Sequence, residues 1–160
     1  MKTLLTSMLS TLFVIAAAAG MAMAADKPDF SGDWKMDVDK SVFPPPMPAP
    51  TAMTRKIDHK DPDLSVVEAR TSPQGDMNTT VKYSTDGKET TNSLMGNDVK
   101  SKAVWEGKTL VITSAANFGG TDIKLTDKWT LAEDGKTLTD VLGISAPQGD
   151  FEMTFVLVKQ

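Results

Sequence analysis

The sequence has no cysteine and a single histidine, His59. The first absence excludes disulfide staples, a thiol nucleophile, a cysteine-linked lipid anchor and the thiolate ligands of structural zinc. The second leaves a nucleophile–base–orienter triad without an obvious base, and neither Gly-x-Ser-x-Gly nor a phosphate-binding loop occurs. His59 stands beside Asp58, Asp61 and Asp63 in what reads as an acidic turn. Those carboxylates lack the glycine and distal glutamate of a calcium loop. No metal, no cofactor and no enzymatic activity are expected, and the one catalytic arrangement left open is a pair of carboxylates sharing a cavity. Basic residues are also in deficit, 17 against 21 acidic, for a net charge of −4. Nucleic acid and anionic membrane are therefore poor partners, and none is expected, because both demand a basic face.

Helical periodicity is the next thing missing: beyond the first two dozen residues no apolar i, i+3, i+4, i+7 pattern persists. Residues 1–24 read as a cleavable signal peptide, with basic Lys2, an apolar run from Leu4 to Ala19, and small Ala22 and Ala24 before the cleavage point. The alternative is a retained anchor, but the run is interrupted by Thr6, Ser7, Ser10 and Thr11 and is followed at once by Asp26-Lys27-Pro28. Cleavage removes Lys2 and no acidic residue, leaving 16 basic residues against 21 acidic. The expected product, residues 25–160, is a single periplasmic or secreted domain without a membrane anchor, large enough to bury a core unaided.

What is present is alternation. Phe151, Met153, Phe155 and Leu157 point to one side, with Glu152, Thr154, Val156 and Val158 opposite. Ile123, Leu125, Trp129 and Leu131 form a second such face, and Val99, Ser101, Ala103 and Trp105 a third. Asp86-Gly87, Glu106-Gly107, Asp134-Gly135 and Asp61-Pro62-Asp63 punctuate these runs as turns. The expectation is an all-β antiparallel up-and-down meander of about eight to ten strands. They start near residues 30, 52, 64, 76, 88, 98, 108, 121, 136 and 150. Ser72-Pro73-Gln74-Gly75-Asp76 recurs as Ala146-Pro147-Gln148-Gly149-Asp150. This is either an internal duplication or one hairpin solution used twice. The proline-rich loop 43–51 excludes helix and interior strand and reads as an extended, polyproline-like segment, either a lid over a barrel mouth or a stiff connector.

The segment Phe30-Ser31-Gly32-Asp33-Trp34-Lys35-Met36-Asp37, with Lys40-Ser41-Val42-Phe43 and the proline loop, resembles the start of small secreted bacterial proteins with lipocalin-like, calycin-type barrels. Its centre is Gly-x-Trp, here Gly32 and Trp34. The resemblance implies that the meander closes into a barrel, that Trp34 plugs its closed end, that a basic residue near the last strand lies over the indole, and that the long first loop borders the open end. Lys159 is the residue available for the basic position. A barrel of this size holds packed side chains or one small ligand.

Continuing the alternation places polar residues on apolar faces: Arg55 between Met53 and Ile57, Asp127 between Leu125 and Trp129, and Asp140 between Leu138 and Leu142, with Tyr83 in phase with Met77 and Val81. An unpaired interior charge is costly, so such groups pair, reach water or meet a ligand. Arg55, Tyr83, Asp127 and Asp140 are the candidate ligand contacts, Arg55 by offering its fork to a carboxylate. Pairing of Arg55 with Asp127 or Asp140 is the competing reading. Glu68 and Arg70 share a face with Leu64 and Val66 and are weaker members of the set. Two functions follow: a barrel binding a small hydrophobic or amphipathic molecule, or a non-catalytic structural or interaction module with a filled interior. Oligomeric state is not legible.

Overall fold

Alternation and turn chemistry produce ten strands in the computed structural model, which describes residues 27–160; the expected leader lies outside the described residues. The strands are β1 Gly32–Met36, β2 Ala52–Lys60, β3 Asp63–Ser72, β4 Gly75–Ser84, β5 Glu89–Leu94, β6 Asn97–Glu106, β7 Thr109–Phe118, β8 Thr121–Leu131, β9 Thr137–Ala146 and β10 Gly149–Lys159. No helix occurs among the described residues. Every starting point lies within two residues of its sequence-derived position, because Gly and Pro at the hairpin tips fix where each ladder can begin.

Consecutive strands pair antiparallel, with one interruption between β4 and β5, and β1 returns to pair with β10. The result is one ten-stranded sheet curled into a nearly closed barrel. At the interruption the Asn92 side chain takes the place of a ladder, accepting from the Lys82 amide at 2.8 Å and donating to the Lys82 carbonyl at 3.0 Å. A barrel seam otherwise exposes two rows of unpaired backbone groups, so one amide side chain that both accepts and donates is an economical closure.

One end of the barrel is filled. Phe30, Trp34, Leu110, Leu138 and Leu157 are almost completely buried there. Trp34 donates its indole N–H to the Phe30 carbonyl at 2.9 Å, and the Lys159 ammonium sits 5.4 Å from the indole ring centre. Gly32 has φ +137°, and a Cβ there would lie 2.6 Å from Lys159 Cε. Glycine thus serves both the backbone angle and the approach of the lysine that covers the tryptophan.

Two expectations are corrected. His59 does not sit on a turn: it occupies the inward face of β2, buried, stacked on Phe30 with ring centres 5.7 Å apart and tilted against Trp105 at 5.9 Å. Alternation through Arg55 and Ile57 carries it inside, and only Lys60 separates it from the real turn. The proline loop is not uniformly extended: the Met47 amide donates to the Pro44 carbonyl at 2.9 Å, closing a turn. That turn tucks Phe43 and Met47 against the core, Phe43 meeting Phe155 edge-on at 5.2 Å. The two Pro-Gln hairpins have the same geometry, a two-residue loop followed by Gly75 or Gly149 at positive φ, and both lie on the rim shared with the proline loop.

Candidate functional site

Toward that rim the interior opens into a cavity of about 370 Å³. Its walls are largely apolar: Val66, Met77, Val81 and Leu94 on one side, Ile112, Phe118, Ile123, Leu125, Leu142, Ile144 and Met153 on the other, with Met47 of the proline loop at the mouth. A wider groove of about 780 Å³ runs across β5 to β9, among solvent-facing Glu89, Lys100, Lys102 and Lys124. It is shallow and would leave an occupant wet, so the interior is the candidate site.

A polar cluster forms the cavity floor, and strand register builds it. Arg55 of β2 lies directly opposite Glu68 of β3, while Asp140 of β9 is flanked by Trp129 of β8 and Phe155 of β10. Arg55 Nε donates to Glu68 Oε2 at 2.7 Å and Nη1 donates to Asp140 Oδ2 at 2.8 Å. Arg70 Nη2 donates to the other Glu68 oxygen at 2.7 Å. The guanidinium of Arg55 also lies 5.3 Å from the Trp129 ring centre and 5.7 Å from that of Phe155, and Arg70 lies 5.1 Å from Phe155. Asp140 is completely buried, and its Oδ1 and the Trp129 indole N–H have no hydrogen-bond partner among the described residues.

The sequence candidates are thus divided. Arg55, Tyr83 and Asp127 line the cavity. Asp140 does not; it lies behind Arg55 and anchors it. The arginine fork offered in sequence to a ligand carboxylate is engaged by the protein's own Glu68 and Asp140. Glu68 and Arg70, ranked low from the sequence, are central members.

The electrostatics follow from burial and these pairings. Burial opposes the Arg55 charge, but Glu68 and Asp140 outweigh it and hold the guanidinium protonated, above its ordinary range. Burial likewise works to raise the Glu68 carboxyl, yet the two arginines hold it below the usual carboxylate range. Asp140 stays raised, since burial exceeds what its contact with Arg55 returns. Asp127 is pushed well up by burial and then by the neighbouring Asp140 carboxylate. Tyr83 is raised by burial and by Asp127. The one carboxyl of the cluster without a salt bridge or hydrogen bond among the described residues is therefore also the one most inclined to carry a proton.

At the filled end lies a second titratable group, His59, with its Nδ1 3.8 Å from the exposed Asp29 carboxylate. His59 Nδ1 accepts from the Phe30 amide at 3.3 Å, and burial lowers its pKa, so the ring is neutral. Nδ1 as acceptor puts the proton on Nε2, which is buried without a partner among the described residues. No group of three or more His, Asp or Glu is gathered for a metal ion among the described residues.

No protein-family profile matches the chain, and no curated protein sequence is significantly similar to it. Solved structures are similar in fold. A zebrafish ileal bile acid-binding protein complexed with cholic acid superposes with a TM-score of 0.60 at 19% identity, covering 82% of this chain and 98% of that one. A secretory abundant heat soluble protein from Ramazzottius varieornatus gives a TM-score of 0.60 at 14% identity, covering 86% and 99%. A point mutant of the fluorescent protein UnaG gives 0.54 at 18% identity, covering 81% and 95%. The fold is a calycin-type β-barrel.

Proposed function

We propose that this protein is an exported carrier or receptor that binds a small hydrophobic or amphipathic molecule inside its barrel, without catalysing a reaction. The cavity carries the reading: about 370 Å³ of interior space, walled by apolar side chains and floored by a compact polar cluster. This is the composition of a small-molecule site, in which apolar area supplies affinity and a few placed polar groups supply orientation. A filled barrel acting through its surface has no use for such a space. Fold-level likeness to a protein solved with cholic acid supports the same reading by analogy only.

Arg55, Tyr83 and Asp127 line the polar end of the proposed site, with Asp140 behind Arg55 as its anchor. The apolar leader and small-residue cleavage pattern over residues 1–24 support export to a periplasmic or extracellular space. Native and denaturing mass spectrometry of the protein purified from its own compartment tests the binding role. A stoichiometric small molecule released on denaturation is the expected result. A clean protein that also takes up no apolar probe contradicts it.

A further inference from the structure

The charge balance of the cavity floor says what kind of head group the cavity accepts, given the binding role above. Three carboxylates, Glu68, Asp127 and Asp140, face two guanidinium groups, Arg55 and Arg70. Both Glu68 oxygens are engaged, one by each arginine, and Asp140 Oδ2 is held by Arg55. Arg55 has Nε and Nη1 committed to these carboxylates and its face against Trp129 and Phe155. Arg70 has Nη2 committed to Glu68 and lies over Phe155. The buried Arg70 Nε keeps no hydrogen-bond partner among the described residues, but the two arginine charges are matched by Glu68 and Asp140.

Asp127 is not. It projects from β8 into the cavity wall, and no salt bridge or hydrogen bond reaches its carboxyl among the described residues. With every carboxylate ionised the cluster carries one negative charge too many, placed on the half-buried Asp127 among largely apolar walls. In the empty cavity a proton on Asp127 removes that excess. An occupant can remove it instead, and the sign required is positive. An incoming carboxylate could reach the unpartnered Arg70 Nε, but the two arginine charges are already balanced by Glu68 and Asp140, so it would add a second unmatched negative charge beside Asp127. Other oxygens in the cavity suit a nitrogen head: the Tyr83 hydroxyl of β4 lines it too, and the Ser101 and Ser114 hydroxyls, 2.8 Å apart, present acceptors.

We propose that the cavity selects an amphipathic cation, an ammonium head on an apolar tail, and that the Asp127 carboxylate receives that head while the apolar walls take the tail. This rests on the binding reading and goes beyond it by fixing the charge of the ligand.

Three probes with the same tail separate the possibilities: decylammonium, decanol and decanoate, titrated calorimetrically into the protein and into Asp127→Asn. The unmodified protein binds decylammonium about tenfold or more tighter than decanoate, as one charge-assisted contact against one uncompensated charge requires. Asp127→Asn loses about tenfold or more for decylammonium and changes decanol by less than about threefold. Decanoate binding as tightly as decylammonium overturns the proposal, and so does an Asp127→Asn variant with unchanged decylammonium affinity. If that variant does not fold, the ranking in the unmodified protein decides alone. Decanol binding without a preference for the amine overturns the head-group assignment and leaves the cavity reading intact. Failure of all three probes overturns the cavity reading itself, and this proposal with it.

Discussion

Replacing Arg55 with methionine removes the one cation that contacts two buried carboxylates at once, so its cost is calculable from the bonds that break. Two charge-assisted hydrogen bonds, at 2.7 and 2.8 Å, disappear. Each is worth about 1.5–3 kcal/mol. Methionine fills much of the volume against Trp129 and Phe155, so packing changes little. What remains is the burden of Asp140, completely buried with no cation, and of Glu68, left with Arg70 alone. Breaking one side of a buried ion pair typically costs about 3–5 kcal/mol, in line with the two lost bonds. With a urea m-value of about 1–3 kcal/mol/M for a domain of this size, the unfolding midpoint falls by roughly 2 M. The sign with pH is also fixed. Without Arg55 the folded-state pKa of Glu68 rises and that of Asp140, already raised, rises further, so the loss is full while both are ionised and fades as pH falls and they take up protons. Urea titrations of parent and variant at neutral pH and near pH 4 measure both quantities. A loss below about 1 kcal/mol, or one that does not change with pH, refutes the assignment of Arg55 as the neutraliser of the floor.

Trp34→Ala empties the plugged end and costs about 3–5 kcal/mol by urea unfolding; an effect under about 1 kcal/mol contradicts the plug. Gly32→Ala forces an alanine to positive φ against Lys159 and lowers stability by about 1–3 kcal/mol, with thermal unfolding as the check. Asp127 has a folded pKa above its ordinary 3.8, so the native state holds its proton longer than the unfolded chain. Its contribution is therefore present at low pH and is lost as pH rises from about 4 through the raised value; in Asp127→Asn this decline is absent, and an unchanged slope of stability against pH contradicts the burial. Asn92→Ala removes the stitch across the β4–β5 seam: the Lys82 amide exchanges with deuterium about tenfold faster or more, while global stability moves by less than about 1 kcal/mol, and unchanged exchange denies the stitch.

The barrel was legible because alternation and turn chemistry are local signals, and here they agree at every strand. The site was legible only in part, because its geometry depends on register. Alternation alone marks Arg55, Asp127 and Asp140 as inward residues and says nothing about which of them meet. A two-residue turn at Asp61–Pro62, counted back along both strands, brings Glu68 opposite Arg55. That count was available in the sequence and identifies the partner that charge pattern alone ranked low. The approach of Asp140 to Arg55 spans 85 residues and depends on how the barrel closes, which no local count reaches. His59 shows the opposite difficulty: neighbouring acids suggested a turn, while the phase of β2 carries it into the core. The proline loop excluded regular structure correctly, but the turn that brings Met47 to the cavity mouth depends on the core it packs against.

Whether the interior is a binding site is tested most directly with a neutral polarity-sensitive dye such as Nile red. It is titrated against the protein and against a variant with the cavity filled by Leu125→Trp and Ile144→Trp. The expected result is saturable one-site binding to the parent, competed by decanol and abolished in the filled variant, whose far-ultraviolet circular dichroism stays that of a β-barrel. Dye binding that survives filling, or a parent that binds neither dye nor any apolar competitor, contradicts an interior site.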